Sequence, residues 1–171
     1  MARLTDQEKQ KIESLRKENG IKNMYYTRYF LIRYVVAFFF FANLYWILMI
    51  FLSKPTVFVI IPSLLAGLGA ICMWEQSRMY AKDQKPAVKT HFYFVTIIVV
   101  NSLLLIATLL DQFQYFYPFL AVNATSKTLL MGILFTGDVI AAWMLVKLHR
   151  INQKKDKQYD RIKRYLQSIK Q

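Results

Sequence analysis

The sequence is poor in the residues that staple, break or catalyse. Cys72 is the single cysteine among 171 residues, so no intramolecular disulfide, cysteine-ligated metal site or dithiol redox pair can be built. That excludes thiol oxidoreductases and any scaffold that needs a disulfide-braced outer loop. Histidine occurs twice, as His91 and His149, and two histidines without clustered carboxylates make a poor metal site. No G-x-S-x-G, H-E-x-x-H or phosphate-binding loop occurs. The reading is therefore a protein with no catalytic residues, no metal and no cofactor. Acids are scarce as well, 10 against 23 Lys and Arg, for a net charge of +13. In a soluble chain this would suggest nucleic acid. Here the bases flank apolar runs, which makes the anionic headgroups of an inner leaflet the expected partner and nucleic acid not one.

What the chain has in excess is apolar residues, 56% of the total, gathered into four blocks. Each is close to the roughly 20 residues that a membrane-crossing helix requires: 34–52, 55–74, 92–110 and 128–148. The expected fold is all-α, an integral membrane bundle of four transmembrane helices (34–148) in a chain short enough for one unit. A basic cytoplasmic segment (1–33) precedes it and a basic amphipathic cytoplasmic tail (149–171) follows. Eight bases, Arg3 to Arg33, come before the first span. Arg78, Lys82, Lys85 and Lys89 join the second to the third, and eight more run from Arg150 to Lys170. The other two connections carry only Lys54 and Lys127. The positive-inside rule then puts both termini in the cytoplasm of a multi-pass cell-membrane protein. The opening segment is charged, which implies that the first span acts as its own insertion signal. The Lys-, Phe-, Ile- and Tyr-rich composition resembles that of proteins from low-GC bacteria, which makes a bacterial source the expectation.

Local signals fill in the ends. Thr5 and Glu8 form a capping box for a helix from about Asp6 to Asn19, with Gly20 as its stop. Pro55 suits the first turn of span two, and Thr125 or Ser126 suits the N-cap of span four. Tyr25, Tyr26, Tyr29, Trp74 and Tyr93 fall where an interfacial aromatic belt is expected. In the tail, Tyr159, Ile162, Leu166 and Ile169 recur at helical spacing, an amphipathic continuation of span four. That face has three possible partners: the inner leaflet, the N-terminal helix or another subunit.

The most informative pattern is one of depth. Asn43, Asn101 and Asp138 are central in spans one, three and four, and Ser63 lies near the centre of span two. Polar side chains at the bilayer midplane turn inward, because lipid exposure costs an Asp roughly 2.5–3.5 kcal/mol. Three roles compete for this layer: polar glue around a protonated Asp138, a proton or cation relay, and a binding residue for a ligand. Small residues at four-residue spacing, Ser63 with Gly67, Ala66 with Ala70, and Gly137 with Ala141, are candidates for close helix packing, within the bundle or in a homo-oligomer. The outer connection holds Phe113, Tyr115, Phe116, Tyr117 and Phe119, a candidate contact surface or lid over the bundle. It also holds a weak glycosylation match at Asn123. The functional expectation is a non-enzymatic protein that binds a membrane or external partner, as an accessory subunit or a toxin-immunity protein does. The alternative is a small transporter or channel subunit coupled through Asp138.

Overall fold

Long apolar runs without internal breakers form helices, and the chain is all-helical in a computed structural model that describes residues 6–78 and 87–169. Arg3, Thr5, Lys82, Lys85 and Lys170 lie outside the described residues. The helices are α1 (Asp6–Thr27), α2 (Phe30–Ser53), α3 (Ile60–Ser77), α4 (Val88–Leu109), α5 (Ala124–Asn152) and α6 (Lys157–Ile169). Helices α2 to α5 are each long and apolar enough to cross a bilayer, yet only 22–28% of the residues in their most apolar windows are buried inside the fold. Phe41, Leu52, Leu64 and Phe135 all point outward, more than 60% exposed. A continuous apolar exterior of this size does not suit water. It matches a multi-pass membrane protein, in which hydrocarbon takes the place of the missing neighbours.

Successive helices pack side by side, α2 on α3, α3 on α4 and α4 on α5, and a sparse contact between α5 and α2 closes the ring. The larger core, including Ile32, Val36, Phe94, Met144 and Leu148, fills the end of the bundle that carries both termini. A smaller cluster of Leu104, Phe113, Tyr117, Leu130 and Leu134 fills the opposite end. These are called the basic end and the aromatic end below.

Several element boundaries differ from those expected, each for a physical reason. Pro55 does not open the second span. It holds Lys54 extended (φ −139°, ψ 115°), as the residue before a proline must be. A 3-10 turn at Val57–Val59 then leads into α3, where Pro62 occupies the first turn, the part of a helix that tolerates proline. The connection is thus longer than Ser53 and Lys54 alone. Helix α4 starts at Val88, not Phe92, because the Glu75 carboxylate at the end of α3 accepts from the backbone N–H groups of Lys89 (3.2 Å) and Thr90 (3.0 Å). The N-cap of α5 is Asn123, whose side-chain oxygen accepts from Ser126 N at 2.7 Å; neither Thr125 nor Ser126 takes that place.

The terminal helices differ most. Gly20 does not stop α1, which runs on to Thr27 with no positive-φ glycine. Gly20 instead faces α6, with the Tyr165 hydroxyl 3.7 Å from where a Cβ would stand, an ordinary contact distance. Nor does the tail continue span four. Lys154 takes a left-handed conformation (φ 56°), the chain turns, and α6 folds back against α1 with Ile162 and Ile21 buried. Of the tail's apolar face, Ile162 is therefore covered from within the chain, while Tyr159 and Leu166 stay half-buried. Tyr29 and Tyr93 are not belt residues: both are almost wholly buried, while Trp74 stays 64% exposed. Burial pushes the Tyr29 hydroxyl above its ordinary value, with the Arg28 charge opposing.

Candidate functional site

Arg28 joins the two junctions that flank the basic end. It sits between α1 and α2 and is 4% exposed. Its Nε donates to Asp156 Oδ2 at 3.0 Å, one Nη2 bond goes to the Ile151 carbonyl at 3.1 Å, and Nη2 also reaches Asp156 Oδ1. Asp156 in turn accepts from Tyr159 N at 3.1 Å, which makes it the cap of α6 as well as the partner of Arg28. The Tyr159 ring lies 5.2 Å from the guanidinium. One ion pair thus fixes the α1–α2 and α5–α6 turns together. The tail's periodic residues alone do not reveal this role of Asp156. The available signal was its position three residues before the periodic Tyr159-x-x-Ile162 pattern, where an N-cap belongs.

At the aromatic end the connection between α4 and α5 folds inward. Phe113 and Tyr117 are buried, Phe116 and Phe119 half-buried, and Tyr115 exposed at 62%. Trp46 of α2 stacks on Tyr117 with ring centres 4.7 Å apart and donates its indole N–H to the Phe116 carbonyl at 3.1 Å. Phe58 covers Phe116 from the other hairpin at 4.7 Å. Asp111, in a left-handed turn, pairs with Lys127 at 2.6 Å. The segment is a roof on the bundle, and most of the rings proposed for outer contact serve as its underside.

Beneath this roof the α2–α5 seam opens. A groove of about 770 Å³ runs between the two helices, from Phe38 to Trp46 on α2 and from Leu129 to Ile140 on α5. That is about 16 Å along the helix axis at 1.5 Å per residue. Tyr117, Phe119 and Leu120 close its top, and Leu65 and Ile97 stand behind. The lining is mainly apolar, with Asn43 and Asn101 as its amides. Small residues at Ala42, Gly132 and Gly137 keep it open, and nothing stands within 4 Å of the place a Gly132 Cβ would occupy.

The midplane residues divide accordingly. Asn43 is buried, with its amide nitrogen donating to the Phe39 carbonyl at 2.7 Å. Asn101 faces the groove and presses on α5, its Nδ2 3.0 Å from where a Gly137 Cβ would be. Asp138 lies behind it in the α4–α5 contact, against Asn101 and Ser102, and its Oδ2 accepts from Ser102 Oγ at 3.4 Å. Asp138 Oδ1 is buried with no hydrogen-bond partner among the described residues. Ser63 does not join them. It is exposed on the outer face of α3 and donates to the Val59 carbonyl of its own helix. Ser102, which the depth argument passed over, takes its place. The clue was its adjacency to Asn101, two polar residues in a row inside an apolar span.

The small residues split by helix. On α5, Ala141 is fully buried and Gly137 meets Asn101 and Phe39. On α3, Gly67 and Ala70 face outward, and the close approach is made by Ala66 and by Gly69, which lies under the Tyr93 hydroxyl. Among the described residues no three His, Cys, Asp or Glu side chains converge as a metal site needs. No family model matches the chain, and no curated protein or solved structure is significantly similar to it.

Proposed function

We propose that this is a non-enzymatic membrane protein that acts by binding, and that its ligand is a hydrocarbon-bearing molecule drawn from the bilayer into the α2–α5 groove. The carrying observation is the groove itself. Its volume falls in the range of about 300–1,000 Å³ typical of small-molecule sites, and its make-up, apolar walls with a few polar groups, is typical too. It lies along the helix axis, the direction in which lipid chains run, at a seam between two membrane-crossing helices. Asn43 and Asn101 offer hydrogen bonds to a polar group midway along such a chain. The positive-inside rule supports a basic end in the cytoplasm, in which case the groove runs from the midplane, at Asn43 and Asn101, towards the outer surface under the aromatic roof. Holding an amphiphile there suits an accessory subunit of a larger membrane assembly, or an immunity protein that meets a membrane-active toxin.

The test is photolabelling of the reconstituted protein with an alkyl-diazirine probe. Adducts should map to the α2 segment around Ala42 and the α5 segment around Ile133. Gly132→Trp, which fills the groove, should remove most of them while leaving the helical fold intact. Labelling spread evenly over the lipid-facing surface, unchanged by Gly132→Trp, would sink the proposal.

One observation favours a second reading, transport. Asn101 touches both the groove and Asp138, and Asp138 holds a buried oxygen without a partner. Buried intramembrane carboxylates mark ion and proton pathways. A gradient-driven proton or cation flux in liposomes, lost in Asp138→Asn, would establish this reading; absence of flux in the wild type would remove it.

A further inference from the structure

The polar groups along the α2–α5 groove are not evenly free. Asn43 donates its amide nitrogen to the Phe39 carbonyl of its own helix at 2.7 Å. Its Oδ1 accepts no hydrogen bond among the described residues, and it is not an atom sealed in the packed interior. The open space that Asn43 borders is the groove, so that oxygen faces it. Asn101 likewise turns its amide nitrogen to α5, 3.0 Å from where a Gly137 Cβ would stand and against Asp138. Its Oδ1 too is neither bonded nor sealed in among the described residues. Thr136, also on the groove, gives its hydroxyl proton to the Gly132 carbonyl at 2.7 Å, and Trp46 gives its indole N–H to the Phe116 carbonyl at 3.1 Å. Donors along this seam are thus largely spent within the protein, and two amide oxygens are left over. None of the residues that line the groove is charged.

Given that the groove holds a hydrocarbon chain, as proposed above, we infer that its ligand carries a neutral hydrogen-bond donor, a hydroxyl or an amide N–H, partway along that chain, where it donates to the Asn43 and Asn101 oxygens. An unsubstituted chain would fill the space but leave both oxygens without a partner, which is costly away from water. A ketone or ester at that depth would add an acceptor where acceptors are already in surplus. A charged group would meet no counter-charge in the lining, and charges inside a membrane need one.

The experiment uses the full chain reconstituted in bilayers and labelled at Ala42 and Ile133 with the alkyl-diazirine probe. Three competitors of equal chain length are titrated, with their concentrations in the bilayer measured: one with a hydroxyl near its middle, one with a ketone in the same place and one unsubstituted. The hydroxyl compound should halve the labelling at a concentration about fivefold below the other two, the size of one net hydrogen bond in a membrane-embedded protein. Asn43→Leu should lower that preference towards one while the probe still labels Ile133, which shows that the groove is kept. The wild-type series decides alone if Asn43→Leu does not assemble. A labelled groove with no hydroxyl preference, a preference for the ketone, or a hydroxyl preference undiminished in Asn43→Leu would overturn the donor assignment and leave the groove a binding site. Labelling spread evenly over the lipid-facing surface would remove both.

Discussion

The two seams of α5 show what packing does inside a membrane. Against α4 the helix lies close, with Ala141 fully buried and Gly137 letting the Asn101 amide in. Against α2 the contact is sparse and a groove of about 770 Å³ remains. Both seams are lined by Leu, Ile, Phe and small residues, so hydrophobicity does not distinguish them. Hydrocarbon is as apolar as the side chains, and association depends on close packing and on polar groups that meet. The α4–α5 seam has both; the α2–α5 seam has Asn43 bonded within its own helix. At its two ends, though, the open seam is fastened, by Arg28–Asp156 at one and by Trp46 under the roof at the other. A groove fastened only at its ends can admit a chain from the side without the bundle separating.

The largest effect should come from releasing the fastened end. Arg28→Met leaves Asp156, whose side chain is 14% exposed, as an unpaired carboxylate, and removing one partner of a buried pair costs about 3–5 kcal/mol. Thermal unfolding in detergent, followed by circular dichroism, should show that loss. The double variant Arg28→Met with Asp156→Asn should recover most of it, since an Asn still caps α6. A double variant as unstable as the single one would mean that the pair is not what joins these turns.

A smaller loss is expected at the tight seam. In Gly137→Val the new Cβ would stand 3.0 Å from Asn101 Nδ2 and 3.7 Å from Phe39 Cε1. The amide must give way and leave Asp138, and over-packing of this kind costs about 1–3 kcal/mol. The same unfolding measurement reads it, and Gly137→Ala should fall between wild type and Gly137→Val. A Gly137→Val protein as stable as wild type would show the seam to be looser than described.

The four spans were legible because apolar runs of about 20 residues have few alternatives, and the heights of Asn43, Asn101 and Asp138 were legible because rise per residue is constant. What height cannot give is azimuth. Ser63 stands at the right depth on the wrong face of α3, and Gly67 and Ala70 face outward with it. Nor can local sequence show a cap supplied from another helix, as Glu75 supplies one to α4, or a glycine such as Gly20 through which a helix runs on. The groove itself was illegible, since it arises from the distance between two helices that are far apart in sequence. Its roof was half legible: the aromatic density at 113–119 stood out, but not that Phe113 and Tyr117 turn inward.

The smallest expected effect is the sharpest test of the contrast. Gly132 lies five residues before Gly137 on the same helix, but a Cβ there meets nothing within 4 Å. Gly132→Val should therefore shift stability by less than about 0.5 kcal/mol, as a substitution without new contacts does. In water, removing a helical glycine would stabilise by roughly 0.5–1 kcal/mol. In a bilayer the backbone is helical whether or not the bundle has assembled, because its polar groups must be satisfied internally, so that gain should be largely absent. Equal losses for Gly132→Val and Gly137→Val would mean that α2 and α4 grip α5 alike and that the groove closes in the membrane. A loss confined to Gly137→Val would leave the open seam as a property of the fold, available to a ligand at little cost.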